Sequence, residues 1–447
     1  MSDPVRKRLV ASGLDDREAG SKSRLFALAT RTLERMREKP EAETILWYVP
    51  GRVEVLGKHT DYAGGPSLLA AAERGFCLAA SPRSDSEVRI LDVGMGLESR
   101  FPLPGEGGPP AADWEVYPRT VARRIARNLP GPLRGADLAF ASDLPPSAGM
   151  SSSSAFVVAV FSVLSDANRL EGHPAYRRAI RSLEDLAGYL GSVENGAPFG
   201  TLAGDGGVGT FGGSEDHTAI LCSRPGLLAL YRYHPVRHEK SLPMPRGFRF
   251  VIGVSGIEAR KAGASREQYN RASLSAAAIL EAWRASGGGS EATLLDAVAS
   301  SPDAPERIRE TLRRLPPGRF TPGMLLDRVE QFLEETLRVI PAAVKALERG
   351  DLAALGEAVD RSQRAAERFL GNQVPETIEL ARSARALGAR AASAFGGGYG
   401  GSVWALVDSS DAGAFRSAWE SIYHRRFPET RGDEFFITGA GPGRLRL

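Results

Sequence analysis

Cysteine is nearly absent. Cys77 and Cys222 are the only two in 447 residues, and no CxxC pair occurs. This excludes a disulfide framework and a thiolate metal site, and a reduced, cytoplasmic setting is expected. Histidine is scarce too. His173, His234, His238 and His424 are scattered and read as surface residues, with no metal-ligand spacing. No apolar run is long enough to cross a membrane. The opening MSDPVRKRLVASGLDDREAG is too polar for a signal peptide. The net charge of +3 is too small to argue for nucleic acid or a membrane as partner, although a few local cations can still serve an anionic substrate. The phosphate-binding pattern GxxxxGK[ST] is missing as well.

What is present is enough chain for a large core and two domains. Strands are expected at 45–49 and 52–57, at 68–72 and 75–80, and as a hairpin at 88–92 and 99–102. A Gly/Pro loop at 104–112, an amphipathic helix at 116–128 and a strand at 135–141 follow, then helices at 152–168 and 174–190. Further strands are expected at 218–222, 227–233 and 248–254, and a helix at 264–286. Residues 291–370 read as mostly helical, with a kink at Pro341, and 376–387 as another helix. The C-terminal part reads as strand, glycine loop and strand over 391–407, a helix at 411–423 and a last strand at 434–438. Strands dominate the first half and helices the middle, which is an α+β arrangement rather than a regular βαβ alternation.

The stretch Ser147–Phe156, SAGMSSSSAF, places Ala148, Gly149, Met150 and the serines Ser151, Ser152, Ser153 and Ser154 ahead of an apolar run. A glycine-serine loop opening a buried helix offers unpaired N–H groups at the positive end of the helix dipole, where a phosphate can sit. A serine cap on an ordinary core helix explains this stretch equally well when it is taken alone.

Two other stretches stand out: GRVEVLGKHTDYAGG at 51–65 and AFGGGYGGSVWALV at 394–407. With LPPSAGMSSSSAF at 144–156, their order and chemistry resemble the GHMP kinases, and the first resembles the galactokinase signature. GGSEDHTAIL at 212–221 resembles the family's catalytic aspartate turn, and AGASREQYNRAS its tyrosine-bearing helix around Tyr269. DRVEQFLEE at 327–335 and ERGDLAALGEAVDRSQ at 348–363 resemble the helices ahead of the third motif. The resemblance implies a two-domain α+β fold with the active site in the interdomain cleft. Residues 1–44 would be a helical lead-in, 45–235 the N-terminal domain and 236–447 the C-terminal domain.

It further implies ATP and Mg²⁺, a small-molecule sugar as partner, and a monomer or weak dimer. Asp216 would be the catalytic aspartate and Arg52 its cation, with the serine loop from Ser147 to Ser154 on the nucleotide. Ser153 and Glu194 would hold Mg²⁺. His59, Asp61, Tyr62, Gly213, Tyr269 and Lys58 would surround the sugar, and Gly397, Gly398 and Gly400 would form the third-motif loop. Plainer roles exist for each: Asp216 as a turn cap, Glu194 as an exposed helix end, Arg52 paired with Glu54, and the glycine run as a hairpin.

Two departures from the pattern concern the sugar. Glu54 stands where the family has asparagine, and Lys58 where it has glutamate. A lysine only donates, so it suits a carboxylate, as in galacturonate; alternatively it pairs with Glu54 or Glu215. The second departure is the segment 196–213, with eight glycines, which is longer than the family's usual spacing and could act as a lid or add donors for the substrate. The reaction expected is ATP-dependent phosphorylation of a monosaccharide, galactose-like or a uronic acid, at its anomeric hydroxyl. A non-catalytic sugar sensor and a kinase for a non-sugar alcohol are the alternatives.

Overall fold

In a computed structural model the described residues are 3–37, 41–105, 110, 112–257 and 264–447, with side chains described from 267 onward in the last segment. Most of the expected 104–112 loop lies outside them, as do residues 262 and 263.

Helices α1 (Pro4–Ala11) and α2 (Asp16–Met36) precede β1 (Ile45–Leu56) and β2 (Ser67–Pro82). Each of these strands replaces two expected ones. Pro50-Gly51 does not end β1; it is absorbed as a register shift between Pro50 and Arg52. The chain continues through β3 (Glu87–Asp92), β4 (Leu97–Pro102), α3 (Val116–Asn128), β5 (Ala136–Ser142) and α4 (Ser152–Asn168). The expected helix at 174–190 is two, α5 (Pro174–Ala179) and α6 (Leu183–Asn195), because Ser182 caps a new helix by accepting from the Asp185 N–H.

Residues expected as a strand at 218–222 are instead helix α7 (Glu215–Cys222), anchored by Thr218 N–H on Ser214 O at 2.9 Å. A short apolar run fits either state, and here the turn ahead of it decides. A hairpin, β6 (Leu227–Arg232) and β7 (Arg237–Pro243), closes this half. The order is β12-β1-β2-β5-β3-β4, with β6 and β7 extending from β2; β12 is Leu445–Arg446, and only β3–β5 is parallel. The expected domain division at 235/236 therefore falls inside the turn of a hairpin, and the chain returns to the first sheet through β12.

Period-two alternation sorts the sheet's faces. Tyr48 and Cys77 pack with Leu9, Leu14 and Phe26 under α1 and α2, while their neighbours Trp47, Val49, Phe76 and Leu78 join the core around α4. Helix α4 is apolar on every side and almost wholly buried. Burying Phe161 alone contributes about 1.5–3 kcal/mol.

After β8 (Phe248–Val254), helices α8 (Ala264–Ala285), α9 (Leu294–Ala299), α10 (Ala304–Arg313) and α11 (Pro322–Leu333) form a small bundle around Trp283, Ile279 and Phe332. Helix α11 runs through a π-helical turn, Glu334–Val339, into α12 (Ile340–Arg349), so Pro341 sits in the first turn of a helix. Helices α13 (Leu352–Ala365) and α14 (Pro375–Ala386), strands β9 (Ala391–Phe395) and β10 (Ser402–Asp408), helix α15 (Ala412–Arg426) and β11 (Glu434–Thr438) follow. The second sheet, β11-β8-β10-β9, is antiparallel throughout.

Candidate active site

The loop between β5 and α4 is held at its base by Asp143, which accepts from Lys22 Nζ at 2.6 Å and from Gly75 N–H at 2.9 Å. It then takes left-handed backbone at Ser147, Gly149 and Ser151, with φ of 52°, 73° and 61°. No side chain caps α4, and Ser151 Oγ is buried with no hydrogen-bond partner. The plain serine cap is therefore not made. A 17-residue helix begins with uncapped N–H groups beside an orphaned hydroxyl, a donor set suited to a phosphate.

The β9–β10 glycine loop packs directly on this turn. Ser402 Oγ donates to Ala148 O at 2.6 Å. Gly396 has φ of 79°, and a Cβ there would lie 2.7 Å from Gly149 O, so only glycine fits. A Cβ on Gly397 would meet the Tyr269 ring at 2.6 Å. The same loop reaches the first motif, for Gly396 N–H donates to Glu54 Oε2 at 3.0 Å and Gly397 O lies 3.2 Å from His59 Nε2.

β1 brings Arg52 to the junction of these loops. Its Nε donates to Asp216 Oδ1 at 2.8 Å and its Nη1 to Gly149 O. Burial works against the charge on Arg52, but Asp216, Glu54 and Glu215 outweigh it and hold the guanidinium protonated. Asp216 lies in the first turn of α7, and its Oδ2 is 3.3 Å from Ser154 Oγ. That hydroxyl donates to Glu194 Oε2 at 2.8 Å, and His217 Nε2 is 3.2 Å from the same oxygen.

One cavity joins Arg52, Asp216, Ser154 and Glu194 to His59, Asp61, Tyr62, Gly213 and Tyr269. Asp61 is buried and accepts from Glu215 N–H at 3.2 Å, and a Cβ on Gly213 would collide with it. Burial raises the carboxyl of Asp61 above its usual range, and Asp216 adds to this, while backbone hydrogen bonds pull it back.

Among the described residues no group of three or more His, Cys, Asp and Glu side chains forms a metal cage. Mg²⁺ takes one or two carboxylates and draws its other ligands from phosphate and water. Glu194 and a serine hydroxyl, next to the uncapped start of α4, fit that description.

Residues 34–82 match the galactokinase galactose-binding signature, 116–200 the N-terminal domain of the GHMP kinases and 343–425 their C-terminal domain. The chain is 30% identical over 425 residues to the galactokinase of Chloroflexus aggregans (strain MD-66 / DSM 9485), which covers 93% of this chain and 97% of that one. The chain belongs to the galactokinase family of GHMP kinases. The galactokinase of Streptomyces coelicolor is 28% identical over 415 residues, 89% of this chain and 93% of the relative. In fold, the kinase resembles Lactococcus lactis galactokinase complexed with galactose, with a TM-score of 0.75, 20% identity and coverage of 94% and 99%. Methanococcus jannaschii mevalonate kinase is more distant, with a TM-score of 0.54, 13% identity and coverage of 90% and 99%. The galactokinase-family chain is an ATP-dependent sugar kinase.

Two expectations for this kinase meet a different geometry. Lys58 does not line the cavity. The residue is 2% exposed, and its ammonium donates to Ser362 Oγ and Ser393 Oγ, each at 2.8 Å, instead of to Glu54 or Glu215. Gln331 binds the Lys58 carbonyl at 3.0 Å, and Ser362 passes a hydrogen bond on to buried Glu335 at 3.1 Å. The serine that meets Glu194 is Ser154, while Ser153 is only half-buried. In the glycine-rich segment, Asp205 is tied to Arg123 at 2.8 Å and Arg124 at 3.3 Å, and Asn270 holds Phe211 N–H and Gly209 O.

Sequence reasoning missed His217, Asn195 and Glu215 as cavity residues. Asn195 follows Glu194 directly in sequence, and Glu215 and His217 flank Asp216 at the start of α7, so adjacency to the singled-out carboxyls is the signal that could have found them.

Proposed function

We propose that this kinase transfers the γ-phosphoryl group of ATP to the anomeric hydroxyl of a galactose-like sugar. The observation that carries the reading is the Arg52–Asp216 contact, at 2.8 Å, at the point where all three motif loops meet. Asp216 accepts the proton of the sugar hydroxyl. The sugar oxygen then forms its bond to phosphorus as the bond from γ-phosphorus to the bridging oxygen breaks, leaving sugar phosphate, ADP and a proton on Asp216. Arg52 offsets the charge on the transferring group and holds the Asp216 carboxylate in place through its Nε. Ser151 and the start of α4 hold the phosphates. Glu194 and Ser154 would hold Mg²⁺, which neutralises phosphate charge when bound. His59, Asp61 and Tyr62 orient the sugar. The uronic acid reading loses its support, because the Lys58 ammonium is spent on two serines.

The test is ADP release with ATP, Mg²⁺ and galactose, with the product analysed for a phosphate at the anomeric carbon. Wild type turns over and Asp216→Ala does not. Sugar binding without ADP release in the wild type would overturn the reading in favour of a sensor.

A further inference from the structure

The acceptor side of the cavity holds more carboxyl groups than phosphoryl transfer needs. Glu194, Asp216 and Asp61 already have roles, but Glu54 and Glu215 line the same cavity, and among the described residues the one Lys or Arg that lines it is Arg52. Arg52 is already engaged by Asp216 and Gly149, and its Nη2 lies 3.9 Å from Glu54 Oε2, so it is shared among these groups. Lys58, the nearest other cation in the first motif, is turned into the serine pair.

Two of these carboxyls have an oxygen with nothing to bind. Glu54 is 4% exposed; its Oε2 accepts from Gly396 N–H, and its Oε1 is buried without a partner. Glu215 is 5% exposed, and its Oε1 is likewise buried and unpartnered. Buried polar atoms are normally satisfied, so two orphaned acceptors on residues that line one cavity call for a donor that the protein does not supply.

We infer that Glu54 and Glu215 read the acceptor sugar, and that they select one carrying a protonated amine over one carrying a carboxylate. This rests on the kinase reading above and names the substrate class for that site. An ammonium brings three donors and the charge that the carboxyl cluster lacks. A neutral hydroxyl brings one donor and no charge. A sugar carboxylate brings only acceptors and meets like charge, and among the described residues no second Lys or Arg lines the cavity to receive it. Burial chiefly, then Glu54 and Asp61, push the Glu215 carboxyl well above its usual range.

The experiment compares kcat/KM by ADP release for galactosamine, galactose and galacturonate, using the full chain at about pH 7, where an amine is largely protonated. Galactosamine is expected to exceed galactose by about tenfold or more, and galacturonate to fall about 100-fold below galactose, as the gain or loss of a buried charged hydrogen bond implies. Glu215→Gln and Glu54→Gln keep the side-chain volume, and each should bring the galactosamine-to-galactose ratio down to about one. Thermal unfolding of both variants separates a lost contact from a lost fold, and the unaffected variant carries the test if the other unfolds. Galactose turned over as well as galactosamine, or a ratio unmoved in a folded variant, overturns this inference and leaves the kinase reading standing. No turnover of any sugar overturns both.

Discussion

Replacing Lys58 by methionine should weaken the fold and leave sugar preference alone. The Lys58 ammonium is buried and makes two hydrogen bonds at 2.8 Å, to Ser362 on α13 and Ser393 on β9. Charge-assisted hydrogen bonds are worth about 1.5–3 kcal/mol each, so losing both costs about 3–6 kcal/mol. Methionine returns part of this, because a buried apolar chain of similar length gains about 0.8 kcal/mol per methylene-sized group and removes a desolvated charge. The net loss is about 2–4 kcal/mol. Ser362 and Ser393 keep Glu335 and Gln363 as partners, which limits the damage. The assay is the urea unfolding midpoint followed by intrinsic fluorescence, with KM for galactose and galacturonate measured on the same protein. A clearly lowered midpoint with an unchanged preference between the two sugars is the expected result. An unchanged midpoint with a tenfold shift in sugar preference would refute the reasoning and return Lys58 to the substrate.

Asp216→Asn should lower kcat about 10²–10⁴-fold with little change in the unfolding midpoint, measured by ADP release and thermal unfolding. Ser154→Ala should raise the Mg²⁺ concentration for half-maximal rate by about two- to tenfold, since one hydroxyl hydrogen bond to Glu194 is lost. Gly396→Ala places a methyl 2.7 Å from Gly149 O at a φ of 79°, so the phosphate loop must shift; KM for ATP should rise and the unfolding free energy from urea titration should fall by at least about 1 kcal/mol. The Glu215 carboxyl is raised in the folded state, so its own contribution to stability is lost as pH rises above the unfolded value of about 4.5. Glu215→Gln removes that dependence, and its melting temperature should gain on the wild type with increasing pH; a constant difference across the range would count against the shift.

Motif chemistry was legible where residues adjacent in sequence act together. The serine loop, the His59–Tyr62 run and the β9–β10 glycines lie where their spacing predicts. What stayed hidden depends on partners far along the chain. Lys58 read as substrate-facing because its serines lie on α13 and β9, and nothing local marks them. The choice between Ser153 and Ser154 turns on the pitch of α4 against α6, which four identical residues cannot report. Helix α7 read as a strand because Thr218–Cys222 is short and apolar, and β7, RHEKSLP, was missed because its mostly polar residues show almost no alternation. The cavity's excess of carboxyls comes from β1, the turn after it and α7 converging, so composition alone, with a small positive net charge, points the other way.

β12 has a consequence for how the chain is made. It pairs with Trp47 and Tyr48 of β1, and Arg444 beside it stacks on Trp47 and donates to Ser162 Oγ at 2.7 Å. β1 carries Arg52 and Glu54, yet along Trp47 and Tyr48 its outer edge stays open on a ribosome until residues 444–447 have emerged. An open, apolar strand edge is a template for pairing with another chain. Breaking that pairing would thus leave the phosphoryl-transfer groups in place and create an aggregation-prone edge on the strand that holds Arg52 and Glu54.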